Sequence, residues 1–253
     1  MIDTHCHFFD EEFENDLVEC IARCKEYNIE KIVLVGFSYD TNRKAQELAK
    51  KYDIFYPTAG VHPEECNSEY KAQFAELVEY IKNNKIYAIG ECGLDYHWST
   101  EFVAEQKELF RMQCELAIKL DLPIIVHSRD AAHDTFDIIK SFNGKLKGVM
   151  HCYSGSAEMA KEYVKLGMYI SLGGPVTFKN AKEPKKVATE IDINRLLIET
   201  DSPFLAPDPY RGKRNESSYV RFVLAKIAEL KNISVEEAER ITTANANDLF
   251  GLN

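Results

Sequence analysis

What this chain lacks narrows its function first. No apolar run approaches the roughly 20 residues that a membrane-crossing helix needs, so no membrane partner is expected. The start has neither a basic stretch nor an apolar core of the signal-peptide kind, so none is expected. There is no basic excess either. The formal charge of −10 argues against a protein that coats nucleic acid through a positive surface. It leaves open a nucleic-acid enzyme whose acids sit in a cation-neutralised site. Low-complexity tracts, Pro/Gly-rich linkers and composition shifts are all missing, so residues 1–253 are expected to form a single domain. No glycine-rich phosphate loop follows the first apolar run, which disfavours a dinucleotide-binding sheet. The seven cysteines are odd in number and show no disulfide-like framework. Reduced thiols in a cytoplasmic protein are the simplest expectation.

What is there alternates. Short apolar runs at 1–6, 31–36, 54–61, 86–90, 123–127, 147–151, 168–173 and 196–200 read as strands. Helical patterns lie between them at 12–27, 41–52, 70–83, 102–120, 130–140, 156–166 and 183–190. In 102–120 the residues Phe102, Leu109, Met112, Leu116 and Leu120 recur every three to four. Two more helices follow near 217–231 and 234–249, the second opened by Ser234 and Glu237 in capping-box spacing. Eight strands with helical crossovers predict an α/β fold, a (β/α)8 TIM barrel, with an open doubly wound sheet as the alternative.

The chemistry collects after the apolar runs. The chain opens MIDTHCHFFD, where period-two alternation turns His5 and His7 the same way, with Asp3 on that face. The third run leads into Val61-His62-Pro63 and the fourth into Gly90-Glu91-Cys92-Gly93. The fifth ends at His127, the sixth at His151, and the eighth leads into Glu199-Thr200-Asp201-Ser202-Pro203. In a barrel the C-terminal strand ends share one face. Five of the seven histidines would meet there with two or three acids. Imidazole and carboxylate suit zinc, manganese or iron rather than calcium. Six donors exceed what one catalytic zinc takes, so a two-cation centre that activates water for hydrolysis is the first hypothesis.

These residues reach a known family. Asp3-Thr-His-Cys-His7, Gly60-Val-His-Pro63, Gly90-Glu-Cys-Gly-Leu-Asp95, His127-Ser-Arg-Asp-Ala131, His151-Cys-Tyr-Ser-Gly155, Glu199-Thr-Asp-Ser-Pro203 and Arg211-Gly-Lys-Arg-Asn-Glu216 follow one another along the chain. Together they resemble the TatD-like metal-dependent deoxyribonucleases of the amidohydrolase superfamily. The resemblance implies a (β/α)8 barrel, two divalent cations (Zn, Mg or Mn) and hydrolysis of DNA phosphodiester bonds as an exonuclease. It makes His5, His7 and Asp201 ligands of the first cation and His127 and His151 ligands of the second, with Glu91 bridging. Asp201 and Glu91 are then the catalytic acids, Asp201 assisting deprotonation of the attacking water. No lysine follows the fourth strand, so no modified lysine can replace Glu91 as bridge. One departure is visible: the family usually has proline after Arg-Asn-Glu, and this chain has Ser217-Ser218.

His62, Arg129, Arg211 and Lys213 are the candidate substrate contacts. Arg214 completes a basic cluster with Arg211 and Lys213, and arginines suit bidentate phosphate contact. The plain alternatives are an ion pair of Arg129 with Asp130 or Asp134 and a solvated loop at 211–214. Asp3 is expected to orient a ligand histidine. Tyr96 and Trp98 are candidates to stack on a base, and His97 and His133 are peripheral. Cys6, Cys92 and Cys152 read as packing residues. The expected partner is DNA, single-stranded or end-frayed, acted on by a monomer. Two rival readings remain: a hydrolase of another ester, amide or phosphate substrate such as an aminoacyl-tRNA ester, and a non-catalytic scaffold that kept its ligands.

Overall fold

A computed structural model describes residues 1–252. Eight strands form along the chain: β1 (Ile2–Cys6), β2 (Lys31–Leu34), β3 (Phe55–Pro57), β4 (Ile89–Asp95), β5 (Ile124–Arg129), β6 (Gly148–Met150), β7 (Met168–Leu172) and β8 (Leu196–Ile198). All pairings are parallel and sequential, β1-β2-β3 in one set and β4 to β8 in the other. Parallel bridges at Ala59–Ile89 and Cys6–Ser202 join the two sets into a ring. That closure makes the fold a (β/α)8 barrel and excludes the open doubly wound sheet, whose outer strands would stay unpaired.

Nine α-helices are found among the described residues: α1 (Leu17–Glu26), α2 (Tyr39–Lys51), α3 (Tyr70–Asn83), α4 (Val103–Leu120), α5 (Ala132–Ser141), α6 (Ala157–Lys165), α7 (Lys182–Glu190), α8 (Val220–Lys231) and α9 (Val235–Phe250). Local chemistry starts several of them. Ser38 and Thr41 cap α2 reciprocally, and Ser156 accepts from Met159 N–H at the head of α6. Ser234 caps α9 through Glu237 N–H, but Glu237 pairs with Arg240 instead of completing the expected box. In α4 the buried face runs through Leu109, Phe110, Cys114, Leu116 and Ala117, and Leu120 of the expected stripe is exposed.

Other expectations shift for traceable reasons. The pattern at 12–27 breaks into a 3-10 turn at Glu11–Phe13 and α1, because Asp10 caps the turn separately. The segment 217–231 likewise begins as a 3-10 turn at Ser217–Tyr219, where Ser218 donates to Glu216. The largest correction is the fourth strand, expected at 86–90 and found at Ile89–Asp95. Its pairing with β5 continues through Cys92–Val126, Gly93–His127, Leu94–Ser128 and Asp95–Arg129. Gly93, at φ +140°, allows that approach: a Cβ there would lie 2.0 Å from the His127 carbonyl oxygen. Glu91 therefore stands inside a strand rather than after its end.

The interior of the barrel is a packed core. Ile2, Val33, Ile125, Val149, Tyr169 and Leu197, one residue from each of six strands, form a buried cluster with Ala246, Leu249, Phe250 and Leu252. The C-terminal part of α9 thereby closes the N-terminal end of the barrel. A larger buried cluster fills the space between strands and outer helices. Both leave the C-terminal mouth to polar side chains.

Candidate metal centre

The site is built outward from Glu91, whose two oxygens face different histidines. Oε2 lies 3.4 Å from His5 Nε2 and 3.9 Å from His7 Nε2. Oε1 lies 2.8 Å from His151 Nε2, 3.1 Å from His127 Nδ1 and 3.4 Å from His62 Nε2. Asp201, at φ +58° in the turn after β8, places Oδ1 3.6 Å from His7 Nε2 and 3.7 Å from His5 Nε2. All of these side chains are buried or nearly so. The structure thus gathers His5, His7, Glu91, His127, His151 and Asp201 in one place, with His62 beside them.

Hydrogen bonds fix which nitrogen offers its lone pair. His7 Nδ1–H donates to the Val35 carbonyl at 2.8 Å, leaving Nε2 free to bind. His127 Nε2–H donates to Asp95 Oδ2 at 2.9 Å, leaving Nδ1. His5 Nε2 and His7 Nε2 are 3.2 Å apart. Two donors each about 2.1 Å from one cation are about 3.0 to 3.4 Å apart in tetrahedral or octahedral coordination. These spacings match, and His7 Nε2, turned toward His5 Nε2 and two carboxylates, fits a cation between them. Buried His5 Nδ1, His151 Nδ1 and Glu199 Oε2 have no hydrogen-bond partner, and they are not the atoms turned toward Glu91. Three groups of donors lie close enough to hold an ion: His5, His7 and Asp201; His62, Glu91 and His127; His5, His151 and Glu199.

Electrostatics agree with the geometry. Burial would raise the Glu91 carboxyl, but His151, His62 and His5 outweigh it and hold it well below the usual range. Burial would lower His151, but Glu91 and Glu199 drive it well above the usual value. For Asp201 burial opposes ionisation, and His7 with the other histidines still pulls it down. His5 moves down, through burial and the facing His151.

Some expected roles move. Asp3 orients no ring. Its oxygens accept from Thr200 N–H at 2.9 Å, Thr200 Oγ1 at 2.6 Å and His5 N–H at 3.3 Å, tying β1 to the turn that carries Asp201. Burial pushes its carboxyl up to about 7. The residue that orients a histidine ring is Asp95, the last residue of the Gly90–Asp95 stretch, which the sequence left without a role. Glu199 is the second missed residue: Oε1 accepts Cys152 N–H at 2.6 Å and lies 3.5 Å from His151 Nδ1. Its signal was the Glu-x-Asp spacing with Asp201. His62 Nδ1 accepts Glu64 N–H at 3.2 Å, so the neutral ring carries its proton on Nε2, facing Glu91.

The rim differs from expectation in detail. Arg129 has no carboxylate partner among the described residues; its guanidinium lies 5.2 Å from the Trp98 ring. Asp130 pairs with His97, and Asp134 with Lys107 and Tyr96. Tyr96 is therefore tied down, and Trp98 is the exposed aromatic. Arg211 and Lys213 are exposed on the loop after β8, lying over Phe178 and Tyr210 at 4.2 and 5.9 Å. Arg214 grips Asp16 with both terminal nitrogens. Cys6 and Cys92 are fully buried, and burial raises their thiols well above the usual value. Cys152 lies in the turn after β6, not on a strand, and its thiol is raised likewise.

A (β/α)8 barrel with such a cluster at its mouth is the architecture of the metal-dependent hydrolases. The model of the TatD related DNase family matches residues 2–251, and the chain belongs to that family. It is 48% identical over 254 residues to the uncharacterized metal-dependent hydrolase YabD of Bacillus subtilis, covering 100% of both chains. It is 38% identical to MJ1582 of Methanocaldococcus jannaschii, named likewise, covering 98% of this chain and 96% of that one. The crystal structure of YJJV, a TatD homolog from Escherichia coli, superposes with a TM-score of 0.93 at 28% identity, over 100% and 98% of the two chains.

Proposed function

We propose that this protein is a divalent-metal-dependent deoxyribonuclease that trims single-stranded or end-frayed DNA as an exonuclease. The observation that carries the reading is the division of Glu91: one oxygen toward His5 and His7, the other toward His127 and His151. His5, His7, Asp201 and Oε2 would hold one divalent cation, zinc, magnesium or manganese. His127, His151 and Oε1 would hold a second. Two cations so placed would supply a nucleophile from water at neutral pH and offset the charge gathering on a phosphate.

The chain's own groups do the rest. Asp201 turns Oδ1 to the histidines, which leaves Oδ2 to take the proton from the attacking water. His62 Nε2 lies 3.4 Å from Glu91 Oε1 and can turn to a phosphate oxygen. Arg129, Arg211 and Lys213, exposed and free of carboxylate partners among the described residues, hold the flanking phosphates. The family name supports a nucleic-acid substrate. The seven free thiols suit the reducing cytoplasm in which we place it, acting as a monomer.

The test is degradation of end-labelled single-stranded DNA by chelated protein with Mg²⁺, Mn²⁺ or Zn²⁺ restored separately, beside Glu91→Ala. Metal-dependent shortening that disappears in the variant is the expected result. Intact DNA with metals loaded would move the reaction to another ester, amide or phosphate substrate.

A further inference from the structure

Among the described residues seven large apolar side chains are exposed, and three of them stand on the loops at the barrel mouth: Trp98 after β4, and Phe204 and Leu205 after β8. Exposed aromatic surface beside a charged centre is the informative exception to burial. Trp98 is 67% exposed and Phe204 53% exposed.

Both are held in place. Phe204 N–H donates to the Asp201 carbonyl at 2.9 Å, and its own carbonyl accepts from Asn215 Nδ2 at 2.7 Å. Its ring centroid lies 6.4 Å from that of His7, and Phe9 and Phe37 flank the same imidazole at 5.7 and 5.5 Å. On the other side, His97 N–H donates to Asp95 Oδ1 at 2.8 Å, and Asp95 Oδ2 holds His127. The Trp98 ring packs against His97 at 4.9 Å and under the Arg129 guanidinium at 5.2 Å. One aromatic surface thus adjoins the Oε2 side of Glu91, and the other the Oε1 side.

We propose that Trp98 with Arg129, and Phe204, are two base-stacking platforms that straddle the phosphate site and hold a single DNA strand by the bases on either side of the scissile bond. This rests on the nuclease reading and adds how the strand is gripped. Stacking suits every base because each has a flat face, and it selects single strands because duplex bases are already stacked. Arg129 offers its cation to the adjoining phosphate while its plane stays on the indole. In a chain of charge −10 a stacking grip binds DNA without a large basic surface.

Trp98 is the only tryptophan, so its fluorescence reports this platform alone. The full-length chain, as purified and after chelation, is titrated with a short oligothymidylate and with an abasic tetrahydrofuran strand of equal length. The expected result is quenching by the base-bearing strand and none by the abasic one. Phe204→Ala should weaken binding of the base-bearing strand about tenfold, as loss of one stacked base does. It should leave the circular dichroism spectrum and binding of the abasic strand unchanged. Equal quenching by both strands, absence of quenching, or an unaffected Phe204→Ala would overturn the proposal. Quenching by free thymidine as strong as by the strand would also overturn it, assigning the indole to a small flat ligand. Base-dependent quenching without any DNA cleavage would sink the nuclease reading while the platforms stand. Equal cleavage of both strands would sink the platforms while the nuclease stands.

Discussion

Asp95 holds His127 by the ring nitrogen that faces away from Glu91: Nε2–H donates to Oδ2 at 2.9 Å, and Nδ1 lies 3.1 Å from Glu91 Oε1. The other Asp95 oxygen accepts His97 N–H at 2.8 Å, so both oxygens act as acceptors. Asparagine has one acceptor oxygen and must give up one of the two bonds. Asp95→Asn should lower divalent-metal affinity about 10- to 100-fold, the usual cost of losing a partner that orients a ligand. Calorimetric titration of chelated protein measures it. Unchanged affinity would show that Asp95 does not set the tautomer.

Metal stoichiometry should separate Glu91 from Asp201. Glu91 faces both halves of the cluster, whereas Asp201 contacts only His5 and His7. On the proposed two-ion centre, Glu91→Gln should weaken both ions together and cut hydrolysis by ~10³-fold, the loss of several kcal/mol of charge stabilisation. Asp201→Asn should weaken one of two. Elemental analysis after limited dialysis reads the difference, and equal losses in both variants would contradict the bridging role.

Glu216 supports the loop after β8 through charge. Its carboxylate receives Arg23 Nη2 at 2.6 Å and Arg23 Nε at 2.8 Å. Burial would raise its pKa, but the Arg23 hydrogen bonds outweigh that and lower it from 4.5. A depressed folded pKa means the stabilisation is present above about 4.5 and fades as pH falls through the folded value. Glu216→Gln should cost about 1.5 to 3 kcal/mol at pH 7, the range for hydrogen bonds to charged groups. Denaturant melts should show that gap closing in acid; a pH-independent gap would point to packing instead.

The plug at the base of the barrel should be the costliest place to lose volume. Phe250 belongs to the inner cluster with Ile125 and Leu197 and is 4% exposed. Phe250→Ala should destabilise by about 3 to 5 kcal/mol through lost burial and a cavity. Metal affinity should change little, because the plug and the mouth lie at opposite ends of the strands. Parallel melting and metal titration test the separation.

Much of this was legible in the residues. Strand and helix alternation follows from apolar periodicity, which the local chain carries wherever it folds. The histidines and acids after successive apolar runs were visible as a class, because parallel strands deliver their C-terminal ends to one face. The pattern singled out the histidines and acids as a class, the resemblance narrowed them to His5, His7, Glu91, His127, His151 and Asp201, and these six are found together.

Roles set by contacts between distant segments were not legible. The extent of β4 depends on pairing with β5, which Gly93 permits by leaving room for a carbonyl from another strand. Asp3 looks like a ligand-orienting acid in its own strand, yet Thr200, 197 residues away, claims its oxygens. Asp95 and Glu199 acquire roles only because parallel pairing within the β4-to-β8 set brings His127 and His151 to them. Arg129, named as a substrate contact, has its guanidinium over Trp98 from the neighbouring loop, a placement that its own strand does not reveal. The sequence by itself determined the fold class and the inventory of donors, since both rest on local pattern and residue chemistry. Only the tertiary structure decided which nitrogen His7 and His127 present and which group orients each ring. A hydrogen bond needs its partner within about 3 Å, and the pairing of strands distant in sequence supplies those partners.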